Sequence, residues 1–265
     1  MKRLRVLRLL RLLRLLLPVL CLQPSLPLRA AEPLPMTFAM QVFPPFITND
    51  NGRQAGFFPD TLRAVCAAMH ATCTMEIYPW RRAYAMVLSG SVDGILMLLN
   101  TPQRQVDLYM SPAIIQTSYA LYAQQQNALR YSAPSDLTGY TVAAYGPSGT
   151  SYAAEGLVQR APGARLEVEI DNPTALRKLR MGRYGAKAVV VINHDLALQL
   201  MKPEGDTGLK HVGELQKIEY HIGLSRKKLP QQQVDAFNTT LTDLLRDGTV
   251  AAIAKKYGLK AVAVE

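Results

Sequence analysis

The residues whose types and spacing suit ligand chemistry lie within residues 79–112. An apolar run over residues 95–99 predicts a buried strand that ends at Asn100, and Arg104 follows two residues after Pro102. Open α/β sheets bind ligands at the carboxyl ends of their strands, and a guanidinium placed there forms two-pronged bonds with an anion. The spacing predicts an anion clamp at Arg104, although a solvent-exposed arginine beside a helix–strand unit fits the same pattern.

Nucleophilic and metal chemistry find little support in the sequence. The segment Gly146-Pro147-Ser148-Gly149 lacks the second glycine of the G-x-S-x-G elbow that serves a nucleophilic serine. The four histidines show neither metal-ligand nor catalytic-triad spacing: His70, His194, His211 and His221. We therefore expect no metal site, and we expect the histidines to occupy surface positions or buried positions with polar partners.

The first thirty residues predict a secretory signal peptide. Basic residues precede an eight-residue apolar core, residues 15–22, which is too short to span a bilayer, and Ala30 or Ala31 offers a cleavage site. An uncleaved amphipathic anchor is the alternative, because arginines alternate with the leucines. Seven of the 30 basic residues lie in this leader, so the rest of the chain carries 23 basic and 20 acidic residues. That balance gives no reason to expect nucleic-acid binding.

Cys66 and Cys73 are the two cysteines beyond the leader, and we expect them to form a disulfide. An even number of cysteines is typical of disulfide bonding in exported chains. The bond would join the end of one helix to the start of the following strand, and two free buried thiols are the alternative. Without further Cys or His neighbours, the pair does not indicate a metal site.

Helix–strand units must position these residues, and the sequence predicts two similar ones. Apolar residues over residues 80–88 share one helix face, and Gly90 supplies the left-handed residue that ends a helix. Residues 175–192 repeat the order of residues 83–98, which is helix, glycine, short polar turn and buried strand. A further strand over residues 140–145 leads into a loop rich in glycine and serine. This alternation predicts an α/β fold.

The order and spacing of several short motifs resemble those of bacterial family 3 solute-binding proteins, the periplasmic receptors that supply polar amino acids to ABC transporters. The motifs are Pro44-Pro45-Phe46, Gly56-Phe57-Phe58, Ser89-Gly90-Ser91-Val92-Asp93, Thr101-Pro102-Gln103-Arg104, Asp136-Leu137-Thr138-Gly139, Asp247-Gly248-Thr249 and Lys255-Lys256-Tyr257-Gly258. The resemblance implies an α/β, periplasmic-binding-protein-like fold in which two α/β lobes are joined by two crossing strands (type II). It implies a signal peptide over residues 1–30, lobe 1 over residues 31–122 plus 218–265, and lobe 2 over residues 123–217.

The resemblance also implies ligand-binding roles. Phe46 and Trp80 match the aromatic pair that sandwiches the ligand side chain, with core packing as the alternative for both. Arg104 matches the arginine that grips the ligand's α-carboxylate. In lobe 2, the loop whose backbone N–H groups and hydroxyl share that carboxylate at a helix N-terminus is matched by Gly149, Thr150 and Ser151.

The part of the site that would bind an α-amino group departs from the family's pattern. Family members place a small or hydroxyl-bearing pair of residues before the arginine, whereas this chain has a loop one residue shorter that ends in Asn100. The family's lobe 2 carboxylate falls near Ile192, and the nearest polar residues are Asn193, His194 and Asp195. Asn100 and Asn193 are therefore our candidate contacts for the ligand's remaining polar groups.

The function implied by the resemblance is that of a periplasmic receptor rather than an enzyme. It captures a small polar or carboxylate-bearing, amino-acid-like ligand between two closing lobes and delivers it to an ABC transporter permease at the inner membrane. We expect a monomer without cofactor or metal. A small dehydratase-like periplasmic enzyme and a soluble sensor module are the alternatives, because this fold is known to have given rise to both.

Overall fold

Strands and helices alternate along the computed structural model, which describes residues 35–201 and 208–262. The strands are β1 (Pro35–Met40), β2 (Thr48–Asp50), β3 (Arg53–Ala55), β4 (Thr72–Ile77), β5 (Gly94–Leu99), β6 (Leu108–Met110), β7 (Ile115–Gln124), β8 (Thr141–Tyr145), β9 (Arg165–Glu169), β10 (Ala188–Asn193) and β11 (Leu209–Ser225). The helices are α1 (Phe57–Ala68), α2 (Trp80–Ser89), α3 (Pro102–Asp107), α4 (Gly149–Val158), α5 (Asn172–Arg180), α6 (His194–Met201), α7 (Gln231–Arg246) and α8 (Thr249–Lys256). The predicted signal peptide, residues 1–30, lies outside the described residues. Among the helices described, none is both long and apolar enough to cross a membrane.

Two groups of parallel strands are connected through the long antiparallel strands β7 and β11. The strand order is β4-β1-β5-β11-β7-β10-β8-β9, and β6 also pairs with β11. β1 is parallel to β4 and β5, whereas β8 is parallel to β9 and β10. The fold class is therefore confirmed: two α/β lobes share a pair of crossing strands.

The two crossing strands pair with each other from Leu209 opposite Gln124 to Tyr220 opposite Ile115. Beyond that point β11 pairs with β5 of the first lobe. β10 of the second lobe pairs with β7 from Tyr119 onward. The lobe limits at residues 122 and 218 stay predictions, and β7 joins the sheet of the second lobe before the first of them.

In the first lobe, β1 lies between β4 and β5 and carries much of the core. Phe38 is fully buried, and its ring centroid lies 6.0 Å from that of Phe237 on α7. A disulfide between Cys66 and Cys73, with Cα atoms 6.1 Å apart, joins the end of α1 to the start of β4, as predicted. Gly90 ends α2 with a left-handed φ of 81°, so the chain turns back into β5.

The second lobe repeats this arrangement around β8. The side chains of β10 are all buried, as a strand covered on both faces requires. α5 and β10 follow each other as α2 and β5 do, which confirms the predicted repeat. The loops after β5 and β8 meet, because a Cβ built on Gly149 would lie 2.9 Å from the Leu99 side chain. The carboxyl ends of the two parallel sheets therefore face one space.

Candidate ligand-binding cleft

A cleft lies where the ends of β5 and β8 approach the crossing strands. The space between its atoms, the open space at its mouth included, is about 540 Å³. Its lining comes from both lobes and both crossing strands: Gln41, Phe43, Trp80, Met97, Leu98, Leu99, Arg104, Tyr119, Tyr145, Ser148, Gly149, Thr150 and Tyr220. Four predicted site residues meet here: Trp80, Arg104, Gly149 and Thr150.

Arg104 is placed by the short helix that follows β5. The Thr101 hydroxyl caps α3 by accepting a hydrogen bond from the backbone N–H of Arg104 at 3.3 Å, and Pro102 begins the helix. The Nη1 atom of Arg104 donates to the carbonyl oxygen of Leu99 at 2.8 Å. That bond fixes the side chain while using one of its five N–H donors, so the guanidinium retains donors for an anion.

Two stacked aromatic rings support the guanidinium of Arg104. Trp80 and Tyr84 lie one turn apart on α2, with ring centroids 5.6 Å apart and an angle of 18° between the planes. The guanidinium carbon of Arg104 lies 5.3 Å from the Trp80 ring centroid and 5.6 Å from that of Tyr84. Both contacts are cation–π interactions, which hold a positive charge at the cleft wall.

The N-terminus of α4 faces the cleft with its first two residues. Ser148 caps the helix, because its hydroxyl accepts from the Ser151 N–H at 3.3 Å and the Ser151 hydroxyl accepts from the Ser148 N–H at 2.9 Å. Gly149 packs against the Tyr119 hydroxyl, which a Cβ would approach to 2.6 Å. The Ser151 side chain thus maintains the helix start rather than lining the cleft, whereas Gly149 and Thr150 line it.

Phe46 lies behind the cleft wall instead of in it. Its side chain is fully buried and packs edge-on against Tyr220, with ring centroids 5.5 Å apart. Phe43 lines the cleft in its place, because mutual backbone hydrogen bonds between Phe43 and Ile47 fold the intervening turn back on itself. Phe43 was not predicted from the sequence, because the family resemblance matched Phe46 to the aromatic pair instead.

The two candidate asparagines also lie outside the cleft lining. Asn100 is exposed and lines a separate surface cavity with Tyr109 and Arg226. Asn193 is buried; its Nδ2 atom donates to the Thr117 hydroxyl at 3.2 Å and its Oδ1 atom accepts from the backbone of α6. Neither side chain therefore lines the cleft, and Asn193 instead supports the start of α6.

A chain of polar groups, most of them buried, leads from the cleft into the second lobe. Asp195 accepts a hydrogen bond from the Thr117 hydroxyl at 2.5 Å, and Asn193 contacts both Thr117 and, at 3.5 Å, the hydroxyl of Tyr220. Burial raises the pKa of Tyr119, despite hydrogen bonds with Thr150 and Tyr220. Burial also raises the pKa of Tyr220 well above its ordinary value. Both phenols are therefore protonated at neutral pH.

The chain as a whole is similar to known binding proteins. The family model of bacterial extracellular solute-binding proteins, family 3, matches residues 36–260. The L-cystine-binding protein TcyJ of Escherichia coli K12 is 24% identical over 218 residues, which make up 81% of this chain and 79% of TcyJ. The family match therefore spans both lobes and the strands that connect them.

Solved structures share the fold at low sequence identity. An ancestral arginine-binding protein bound to arginine superposes with a TM-score of 0.72 at 21% identity, covering 85% of this chain and 99% of its own. A histidine-bound ABC uptake transporter substrate-binding protein from Streptococcus pneumoniae superposes with a TM-score of 0.71 at 20% identity, covering 87% of this chain and 95% of its own. The ancestral amino acid-binding protein AncCDT-1, a precursor of cyclohexadienyl dehydratase, superposes with a TM-score of 0.71 at 17% identity, covering 84% of this chain and 94% of its own.

These relatives are mostly binding proteins, and the solved structures share the fold of this chain. The family match covers the residues that form the cleft, from Trp80 and Arg104 in the first lobe to Gly149 in the second. The chain belongs to the bacterial extracellular solute-binding proteins, family 3, and is accordingly a ligand-capturing receptor.

Proposed function

We propose that this chain is a periplasmic receptor that captures a small carboxylate-bearing ligand and delivers it to an ABC transporter. The observation that carries the proposal is the fixed position of Arg104, bonded to the Leu99 carbonyl and stacked on Trp80. Its guanidinium lines the same cleft as the N-terminus of α4. A carboxylate between them receives charge-assisted hydrogen bonds from one lobe and backbone N–H groups from the other.

The assignment of roles follows from this arrangement. Arg104 binds the carboxylate, and Gly149 and Thr150 complete its shell from the second lobe. Trp80 and Phe43 pack against the body of the ligand, since both rings line the cleft. We infer that the first lobe comprises residues 31–122 and 218–265 and that the second lobe comprises residues 123–217.

The partner and the location rest on the leader and on the relatives. Residues 1–30 have the composition of a signal peptide, and the family is described as extracellular. One structural neighbour is the substrate-binding protein of an ABC uptake transporter. We infer a monomeric periplasmic protein whose partner is a transporter permease at the inner membrane.

Binding without turnover is the activity we infer. TcyJ and the arginine- and histidine-bound neighbours are binding proteins. Tyr119 and Tyr220, whose pKa values are raised by burial, stay protonated and act as hydrogen-bond donors rather than as bases. A dehydratase-like activity is the alternative, since one neighbour is a dehydratase precursor.

Calorimetry on substitutions of Arg104 tests the proposal. The ligand is first found by a thermal-shift screen of the exported protein against amino acids and small organic acids. With that ligand, Arg104→Ala should lose about 2–5 kcal/mol of binding free energy, because a buried anion loses its charged partner. Arg104→Lys should restore part of the loss, since an ammonium does not reproduce the two-pronged geometry.

Arg82→Ala is the matched control. Arg82 lies exposed on α2, its guanidinium 4.5 Å from the Tyr78 ring centroid and outside the cleft lining. Its removal should change the affinity by less than about 0.5 kcal/mol. Equal affinities for Arg104→Ala and the wild type would refute the carboxylate clamp.

A further inference from the structure

The inner wall of the cleft combines one positive charge with a set of aromatic rings. Arg104 is the charged side chain of that wall, and its aromatic rings belong to Phe43, Trp80, Tyr119, Tyr145 and Tyr220. In the portions of the chain that the structure describes, no carboxylate belongs to this lining. The wall therefore carries a positive charge without a neighbouring carboxylate, and its remaining polar groups are the neutral side chains of Gln41, Ser148, Thr150 and the three tyrosines.

The carboxylate nearest to the cleft along the polar network is already engaged. Asp195 accepts from the Thr117 hydroxyl at 2.5 Å, and Thr117 accepts in turn from Asn193. Its connection to the cleft runs through Asn193 and Tyr220, both of which are buried. Asp195 is therefore bonded to β7 and is not among the residues that line the cleft.

An ammonium group placed in this cleft would be poorly compensated. It would meet no carboxylate in the lining, and it would lie in the field of the Arg104 guanidinium. A charge that leaves water without an opposite partner is strongly disfavoured. A carboxylate in the same place gains both Arg104 and the N-terminus of α4, a helix of ten residues.

We propose that the ligand of this cleft is an aromatic monocarboxylate that carries no ammonium group. The carboxylate binds Arg104, and the aromatic body packs between Trp80 and Phe43. This inference rests on the proposed function, whose site it uses, and it narrows the chemical class of the ligand. It also separates this chain from relatives whose names record cystine, arginine or histidine as ligands.

Three probes with the same phenylethyl body test the proposal: 3-phenylpropanoate, L-phenylalanine and 2-phenylethylamine. Their affinities for the oxidised, exported protein are measured by calorimetry. We expect 3-phenylpropanoate to bind at least tenfold more tightly than L-phenylalanine, and we expect no measurable binding of the amine. An affinity for L-phenylalanine equal to or greater than that for 3-phenylpropanoate overturns the inference.

A variant that adds a carboxylate to the wall provides the matched control. Gln41 lines the cleft, and Gln41→Glu changes its charge with little change in shape. We expect this variant to reduce the preference for 3-phenylpropanoate over L-phenylalanine at least tenfold. An unchanged preference would show that the wall's charge does not select the ligand, and the inference would fail.

The same calorimetry separates this inference from the proposed function. L-Cystine, L-arginine and L-histidine are titrated beside the three phenylethyl probes. If one of these amino acids binds more tightly than 3-phenylpropanoate and its binding depends on Arg104, the receptor function holds and the inference fails. If no carboxylate among the six probes binds, the inference fails and the carboxylate-receptor function loses its support as well.

Discussion

Gly149 lies where the N-terminus of α4 meets the crossing strand β7. A substitution at this one residue therefore tests the geometry of the cleft. A Cβ there would lie 2.6 Å from the Tyr119 hydroxyl and 2.9 Å from Leu99. The substitution Gly149→Ala therefore forces the helix or the tyrosine to move. We expect a loss of about 1–3 kcal/mol in the free energy of unfolding, measured by urea denaturation, together with weaker ligand binding.

Gly156 provides the control for that substitution. It lies on the same helix, and a Cβ built on it meets no atom within 4 Å. Because alanine favours a helix over glycine, Gly156→Ala should stabilise the protein by about 0.5–1 kcal/mol. Similar losses of stability in both variants would show that the close approach of Gly149 to Tyr119 has no energetic consequence.

Individual site residues were predictable where local structure dictates their direction. Arg104 follows a strand end, so its loop position was enough to predict it at the cleft, whereas Trp80, at the start of a helix, was predicted through the family resemblance. Phe46 and Phe43 were not distinguishable, because the residue that faces the cleft depends on the exact geometry of the turn that the Phe43–Ile47 backbone hydrogen bonds close. Asn193 follows a buried strand in the expected way, but its side chain caps α6 instead.

At the scale of the elements, the Cys66–Cys73 disulfide connects α1 to β4. The bond closes a short loop, with a sequence separation of seven residues. In the chain-entropy model a loop of this length contributes about 2–3 kcal/mol. We expect unfolding in guanidinium chloride to show this loss when the Cys66→Ala/Cys73→Ala double variant is compared with the oxidised wild type.

Reduction of the wild type is the control for the double variant. With the bond broken by reductant, the wild type should approach the stability of the double variant, and reductant should leave the double variant unchanged. Mass spectrometry after alkylation without reductant should find no free thiol in the exported wild type. Two alkylated thiols in that experiment would contradict the disulfide in the exported protein.

The helix–strand units were predictable from the sequence, whereas the pairing between the lobes was not. In α2–β5 and α5–β10, a local pattern of apolar helix face, glycine and buried strand is sufficient. The pairing of β7 with β11 joins residues about a hundred positions apart, such as Ile115 and Tyr220. The register between two strands so far apart in the chain depends on the packing of both lobes. A short stretch of sequence contains no information about that packing.

At the scale of the whole molecule, the crossing strands are the elements about which the lobes can move. The pairing of β11 with β7 is irregular between His211 and Gly213 and again between Glu214 and Gln216. Such irregularities interrupt the ladder and allow a strand to bend. The Asp195–Thr117 hydrogen bond connects α6 of the second lobe to β7. We therefore expect closure to bend β7 and β11 while each lobe moves as a rigid unit.

Small-angle scattering tests this closure directly. A ligand that contacts both lobes, through Arg104 on one side and Gly149 and Thr150 on the other, binds the closed arrangement more tightly than the open one and shifts the population toward it. We expect the radius of gyration to fall when the wild type is saturated with its ligand. Arg104→Ala at the same ligand concentration should keep the radius of the free protein, because one of the two sets of contacts is lost. An unchanged radius of gyration in the saturated wild type would contradict a receptor that signals occupancy by closing, even if calorimetry had shown the ligand to be bound.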